Sequence, residues 1–222
     1  MIDLQKSLAQ NDFANAEGFK EMQEKFDGFR QFMMMYNCAI REVRTKFEVL
    51  NDDFSIAYQR NPIEMIKSRI KNPVSIVDKL KRKNFPFTME SILHNLNDVA
   101  GVRIIFSFIY DIYYVAEMFA SQDDITVIEI KDYIKNPKPN GYRSYHMIVE
   151  VPVFFASQKQ NMRVEVQLRT IAMDFWASLE HKMKYKKDIP DIASLEEELK
   201  ECAEIIAKTD IKMQNINKRI LG

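Results

Sequence analysis

The segment Val164-Glu165-Val166-Gln167-Leu168-Arg169 alternates strictly, so a β-strand here sets Glu165, Gln167 and Arg169 on one face and the aliphatic residues on the other. An ordinary amphipathic edge strand facing water has the same pattern. Two neighbouring segments favour a site. Arg103 and Ser107 share a face opposite Val102, Ile104 and Phe106, and Ser144 and His146 share one opposite Tyr145 and Met147. Asp98 lies just ahead of Val102, where a carboxylate can join Glu165 in holding a hard divalent cation against phosphate oxygens. Taken alone, an aspartate there also reads as an Asx turn or a helix cap. Upstream, residues 67 to 83 carry seven cations (Lys67, Arg69, Lys71, Lys79, Lys81, Arg82, Lys83) against the single anion Asp78. Such a run is commonly a solvated face, but Arg69 and Lys71 beside Pro73 suit a pocket for phosphates or a stacked base. The loop Asn136-Pro137-Lys138-Pro139-Asn140-Gly141-Tyr142-Arg143-Ser144 is a tight turn at least. As a site it offers Tyr142 for stacking on a base, with Lys138 and Asn140 as polar contacts.

The elements that must carry these residues follow from period and punctuation. Phe19, Met22, Phe26, Phe29, Phe32 and Met33 recur at threes and fours, as on one stripe of a helix over residues 18 to 50. Met33 to Met35 read as packing filler. Asn51-Asp52-Asp53 reads as a turn, residues 62 to 71 as a helix opened by Pro62, and Val74 to Lys83 as a second helix beyond Pro73. The period then changes: Val102 to Phe108, Thr126 to Ile130, Tyr145 to Phe155 and Arg163 to Leu168 are candidate strands. Residues 110 to 120 lie between the first two as a helix, and 131 to 143 form a loop. Ile171 to Lys184 is an amphipathic helix; after a break at Pro190 a long polar helix runs to the end. In it Leu195, Leu199, Cys202, Ile206, Thr209, Met213, Ile216 and Ile220 make a heptad seam, which wants either the N-terminal helix or another copy as partner.

Composition narrows the chemistry. The 222 residues are 46% apolar and 29% charged, which suits one globular domain and excludes disorder. The five glycines cannot build a P-loop or a G-x-G-x-x-G turn, so a nucleotide enzyme needs another phosphate cradle. Lysine plus arginine equals aspartate plus glutamate at 32 each, so affinity for anions must be local. Cys38 and Cys202 form neither a disulfide framework nor a zinc motif, and no leader or apolar span is visible. A soluble cytoplasmic protein with no membrane partner is expected.

Together these segments resemble the synthetase domain of the RelA/SpoT family, and in length and arrangement the chain looks like a stand-alone small alarmone synthetase. The resemblance runs from about Pro62 to Lys187. It is carried by Ser68-Arg69-Ile70-Lys71 with Ser75-Ile76, by Asp98-Val99-Ala100-Gly101-Val102-Arg103, and by Asn140-Gly141-Tyr142-Arg143-Ser144-Tyr145-His146. Glu165-Val166-Gln167-Leu168-Arg169-Thr170 followed by Phe175-Trp176-Ala177-Ser178-Leu179-Glu180-His181 completes it. The resemblance implies an α+β fold, a nucleotidyltransferase-like mixed β-sheet flanked by helices. It divides the chain into an N-terminal helical region (1–61), a catalytic core (62–187) and a C-terminal helix (188–222). It also implies GTP pyrophosphokinase activity: transfer of pyrophosphate from ATP to the 3′-hydroxyl of GDP or GTP. Asp98 and Glu165 would hold Mg²⁺, and Glu165 is placed to accept the proton of the attacking hydroxyl. Arg69 would stack on adenine, with Lys71, Ser75, Lys79, Arg82 and Arg103 on the ATP side. Tyr142 would stack on guanine, with Lys138, Asn140, His146, Gln167 and Arg169 completing the acceptor side.

Longer members carry a hydrolase domain with a His-Asp metal motif. Here His94, His146 and His181 are the only histidines and none precedes aspartate, so alarmone hydrolysis is not expected. The long members' C-terminal regulatory domains are also missing, which argues against ribosome-coupled control. Some small synthetases are homotetramers activated by pppGpp in a central cleft. Tetramer formation is expected here, while Glu64-Met65-Ile66-Lys67 departs from the form of that cleft. The rivals are a different nucleotidyltransferase, with no need of Tyr142, and a non-catalytic nucleotide or single-stranded RNA binder using the basic segment.

Overall fold

The computed structural model describes residues 2–184 and 192–220. Helix α1 (Ile2–Tyr58) leads into strand β1 (Ile63–Ile70), helix α2 (Pro73–Arg82), helix α3 (Met89–Asn95) and strand β2 (Ala100–Phe106). Helix α4 (Ile109–Ala120), strands β3 (Thr126–Asp132), β4 (Tyr145–Phe154) and β5 (Lys159–Thr170), and helices α5 (Ile171–Lys184) and α6 (Ile192–Ile220) follow. The five strands form one sheet in the order β1-β2-β5-β4-β3. β2 and β5 pair in parallel and the other pairings are antiparallel, so the sheet is mixed, as expected.

Register fixes the two faces of the sheet. Lys67 lies opposite Arg103, Arg103 opposite Gln167, and Gln167 opposite His146, so four strands contribute to one polar face. Directly opposed residues project to the same side. The other face carries Val102, Ile104, Phe106, Val164, Val166, Leu168, Met147 and Val149, all buried, and α1 and α4 cover it. Their own contact includes Phe47 stacked on Phe119 at 4.3 Å between centroids. On α1 the buried stripe runs Phe32, Tyr36, Ala39, Val43, Phe47, Leu50 and Phe54. Met33 and Met35 pack against this core while Met34 is exposed.

Two readings of the N-terminal half are corrected. Asn51-Asp52-Asp53 is no turn: α1 runs through it because Leu50 and Phe54 keep the core-facing stripe in phase, and packing overrides local turn propensity. Asn51 instead uses its side-chain Oδ1 to accept from the backbone N of Ile63, bracing the start of β1. Residues 62 to 71 are a strand, not a helix. A bulge between Ile63 and Met65 shifts the register against β2, so Ile63, Ile66 and Ile70 fall three and four apart and imitate a helix. The sheet therefore has five strands where four were legible. Helix α3 also escaped the sequence reading; its N-cap is Thr88, whose side chain accepts from Ser91 N at 3.0 Å.

At the C-terminus α6 packs on α5 and α4 rather than on α1. Its docked stripe is Leu199, Ala203, Ile206 and Asp210, which keeps Leu199 and Ile206 of the expected heptad seam and puts Ala203 and Asp210 in place of the exposed Cys202 and Thr209, while Leu195, Met213, Ile216 and Ile220 stay exposed. Trp176 Nε1 donates to Leu199 O at 2.8 Å, and Gln214 Oε1 accepts from Tyr110 N at 2.9 Å. The break at Pro190 lies outside the described residues, as do the side chains of Phe19, Met22 and Phe26.

Candidate active site

The polar face is built around two carboxylates. Asp98, in the turn before β2, has Lys71 Nζ at 2.7 Å from Oδ2 and Lys79 Nζ at 2.6 Å from Oδ1. Lys71 follows β1 and ties its backbone N to Val99 O at 2.8 Å; Lys79 reaches in from α2. Burial pushes the Asp98 carboxyl up, but the hydrogen bonds and charge of the two lysines outweigh it and hold it below its ordinary value. Glu165, on β5 opposite Gly101, accepts from Gln167 Nε2 at 2.9 Å and faces His146 Nδ1 at 3.6 Å. Burial raises this carboxyl too, and His146 and Gln167 together bring it below normal, while the charge of Asp98 opposes them. The two carboxylates thus sense each other and are both ionised at neutral pH. Among the described residues no cluster of three or more His, Cys, Asp or Glu side chains could hold a metal. Two ionised carboxylates fit a Mg²⁺ ion that takes its remaining ligands from substrate phosphates and water.

On one side of this pair lies a cationic cleft of ≈ 430 Å³ lined by Arg69, Lys71, Ser75, Asp78, Lys79 and Arg82. It adjoins, through Arg69, a smaller cleft floored by Gly101 and walled by Lys67, Arg103, Glu165 and Gln167. The six residues assigned to the ATP side from sequence therefore share one continuous surface. The bulge-shifted strand delivers Arg69 from β1, and α2, started by Asn72 capping Val74 N and by Pro73, presents Ser75, Lys79 and Arg82 along its near side.

The acceptor-side residues meet across the sheet. Tyr142 OH accepts from Arg169 Nη2 at 2.7 Å and lies 2.8 Å from His146 Nε2. Donation from this hydroxyl to Nε2 corresponds to the tautomer whose Nδ1 proton faces Glu165. Lys138 Nζ sits 4.7 Å from the centroid of the Tyr142 ring and the Arg169 guanidinium carbon 5.2 Å from it. Asn140 behaves differently from the other expected contacts: Oδ1 accepts from Tyr142 N and Nδ2 donates to Glu180 Oε1, so both ends of its amide hold the loop. Gly141, at φ +86°, closes that loop against α6, where an added Cβ would stand 2.5 Å from Ala203 Cβ.

One central residue was missed. Asp174, in the first turn of α5, binds Lys67, Arg103 and Arg169, at 3.2, 3.0 and 3.0 Å. Burial raises its carboxyl, and Arg103, Lys67 and Arg169 reverse this and hold it low. The available signal was a carboxylate on the apolar side of an amphipathic helix, among the buried Met173, Trp176 and Ala177. Lys67 was seen as part of a charge run but not as a site residue.

A cationic cleft, two ionised carboxylates and an aromatic-cationic cluster lie together on one face of a mixed sheet. The family described as a region found in RelA / SpoT proteins matches residues 68–190, and the chain belongs to it. It is 43% identical over 202 residues to the GTP pyrophosphokinase YwaC of Bacillus subtilis (strain 168), covering 90% of this chain and 95% of the relative. The crystal structure of small alarmone synthetase 2 from B. subtilis superposes with a TM-score of 0.77 at 44% identity, over 86% of this chain and 98% of that one. Small alarmone synthetase 1 from B. subtilis, bound to its product pppGpp, superposes with a TM-score of 0.79 at 33% identity, over 87% and 98%.

Proposed function

We propose that the protein is a GTP pyrophosphokinase that moves the β,γ-pyrophosphate of ATP to the ribose 3′-hydroxyl of GDP or GTP, giving AMP and ppGpp or pppGpp. The observation that supports this is the shared polar face, where a cationic cleft of ≈ 430 Å³ and the Tyr142–His146–Arg169 cluster both adjoin the strand that carries Glu165. The names of the relatives support the same reading. In the reaction the 3′-oxygen bonds to the β-phosphorus as the bond from that phosphorus to the α,β-bridging oxygen breaks. AMP leaves with the bridging oxygen, and the hydroxyl proton is released toward Glu165. Arg69 stacks on adenine. Lys71, Ser75, Lys79, Arg82 and Arg103 meet the phosphates, where developing negative charge needs fixed donors. Tyr142 stacks on guanine beside Lys138; His146, Gln167 and Arg169 set the geometry around the hydroxyl and Glu165, and Asn140 shapes the loop. Asp98 and Glu165 would hold Mg²⁺, which supplies charge neutralisation on the triphosphate when bound.

We assign residues 62–187 as the catalytic core, with 1–61 and 188–222 as helical extensions. The exposed Leu195, Met213, Ile216 and Ile220 of α6 favour a homo-oligomer, in keeping with a tetramer. The free thiols Cys38 and Cys202 support a cytoplasmic setting; among the described residues no helix is long and apolar enough to cross a membrane. Single-stranded RNA is a further candidate for the Lys67–Lys83 surface.

Labelled ATP, GDP and Mg²⁺ incubated with the purified protein should give AMP and ppGpp on chromatography. Asp98→Asn or Glu165→Gln should abolish both products with the fold intact by circular dichroism. A folded wild-type protein that releases no AMP over a range of metal and pH, or full activity in both variants, overturns the reading. Tyr142→Ala should raise the acceptor KM about tenfold or more, from the loss of a base stack. An unchanged acceptor KM would point to another nucleotidyltransferase chemistry.

A further inference from the structure

We infer that Asp174 is a positioning residue that couples the donor and acceptor nucleotide sites, by fixing Arg103 of one and Arg169 of the other on a single carboxylate. The inference rests on the pyrophosphokinase reading for which site is which, and otherwise on geometry alone. Arg103 Nη1 and Arg169 Nη1 both lie 3.0 Å from the same oxygen, Oδ1, while Lys67 Nζ holds Oδ2 at 3.2 Å. Arg103 projects from β2 and Arg169 from β5, and their guanidinium groups repel each other closely enough to lower the Arg103 pKa, after burial as the first cause.

Without the intervening carboxylate the two like charges would separate. Arg169 is 4% exposed, so its options are few. Both guanidiniums also fix Gln167, whose Oε1 accepts from Arg169 Nη2 at 2.9 Å and Arg103 Nε at 3.4 Å. Its amide is thereby oriented to donate to Glu165. Arg169 reaches the same Glu165 by the other route, through Tyr142 and His146. Asp174 thus anchors, through Arg169, a closed ring of contacts, Glu165–Gln167–Arg169–Tyr142–His146, while the same carboxylate holds Arg103 and Lys67 of the donor side. Three cations on one anion leave surplus positive charge for phosphates, so this carboxylate orders the cations without cancelling them. Its place in the first turn of α5 adds the favourable end of the helix dipole.

The test compares wild type, Asp174→Asn, Arg69→Ala and Tyr142→Ala. Titration calorimetry reads binding of a non-hydrolysable ATP analogue and of GDP, and steady-state kinetics reads both KM values. Asp174→Asn should weaken both nucleotides together by about tenfold, the scale of one misplaced charge-assisted contact at each site. Arg69→Ala should weaken only the donor and Tyr142→Ala only the acceptor. Unchanged affinities, tighter phosphate binding through released arginines, or a loss confined to one nucleotide would overturn the inference. If Asp174→Asn does not fold, Asp174→Glu keeps the charge one methylene farther out and should show the same joint shift at smaller size; wild-type affinities in that variant would equally overturn it. Failure of the pyrophosphokinase reading shows separately, as wild-type protein that releases no AMP, and the binding titrations decide the coupling in either case.

Discussion

Several carboxylates in this protein are buried, and their neighbours decide whether burial is a cost. Asp98, Glu165 and Asp174 each meet cations or donors that reverse the effect of burial, so each carboxyl is held below its ordinary value. Two carboxyls go the other way: burial raises Asp111 despite its pairing with Arg60, and it raises Asp210, which is 6% exposed, against one hydrogen bond, from Thr170 Oγ1 at 2.6 Å. A carboxyl raised in the folded state destabilises the fold above that raised pKa, and the penalty disappears as pH falls to the unfolded value near 4. Asp210→Asn keeps an acceptor for Thr170 without the charge. It should therefore raise the melting temperature at pH 8 by about 2–4 °C, corresponding to about 1 kcal/mol for a chain of this size. The gain should shrink to nothing near pH 4. Thermal denaturation across pH checks this, and a gain independent of pH would show that ionisation is not its source.

The loop that carries Tyr142 is shaped by helices as much as by its own sequence. Asn140 is tied to α5 through Glu180, and Gly141 lies against Ala203 of α6 with a left-handed φ. A side chain at either contact should displace the ring. Gly141→Ala should cost about 1–3 kcal/mol from strain and overlap. Ala203→Leu should raise the acceptor KM while leaving the ATP KM within about twofold, since one methyl-to-isobutyl change acts locally. Equal effects on both substrates would refute that division.

Here the reach of sequence reasoning is plain. The alternation through Val164–Arg169 and Val102–Phe106 revealed the polar face, because period two survives wherever one face is buried. β1 was concealed because a single bulge turned its apolar spacing into three and four. The seam on α6 was legible at Leu199 and Ile206 and one residue off at Cys202 and Thr209, because the surface it docks on accepts small and polar residues, Ala203 and Asp210, where a periodicity argument looks for large apolar ones. Asp174 was passed over because a carboxylate in the first turn of a helix has an adequate local explanation.

Charge is unevenly distributed over a chain that is neutral as a whole. The proposed donor cleft is lined by Arg69, Lys71, Lys79 and Arg82, while residues 195 to 210 of α6 hold six acidic side chains against Lys200 and Lys208. ATP binding should accordingly depend on ionic strength more than acceptor binding, which leans on stacking. Between about 0.1 M and about 1 M salt the screening length falls from about 10 Å to about 3 Å. Over that range the KM for ATP should rise severalfold more than that for GDP, by steady-state kinetics; the reverse order would assign the phosphate-binding cations to the other site.

The parallel pairing of β2 with β5 has a consequence for how the enzyme comes into being. Glu165 meets Gly101 only after a strand more than sixty residues later in the chain has joined its partner, and Asp174 follows later still. Contacts of such sequence separation form late and slowly. A fragment that stops short of β5 therefore lacks Glu165 and the pairing that sets it beside Gly101, and should release no AMP.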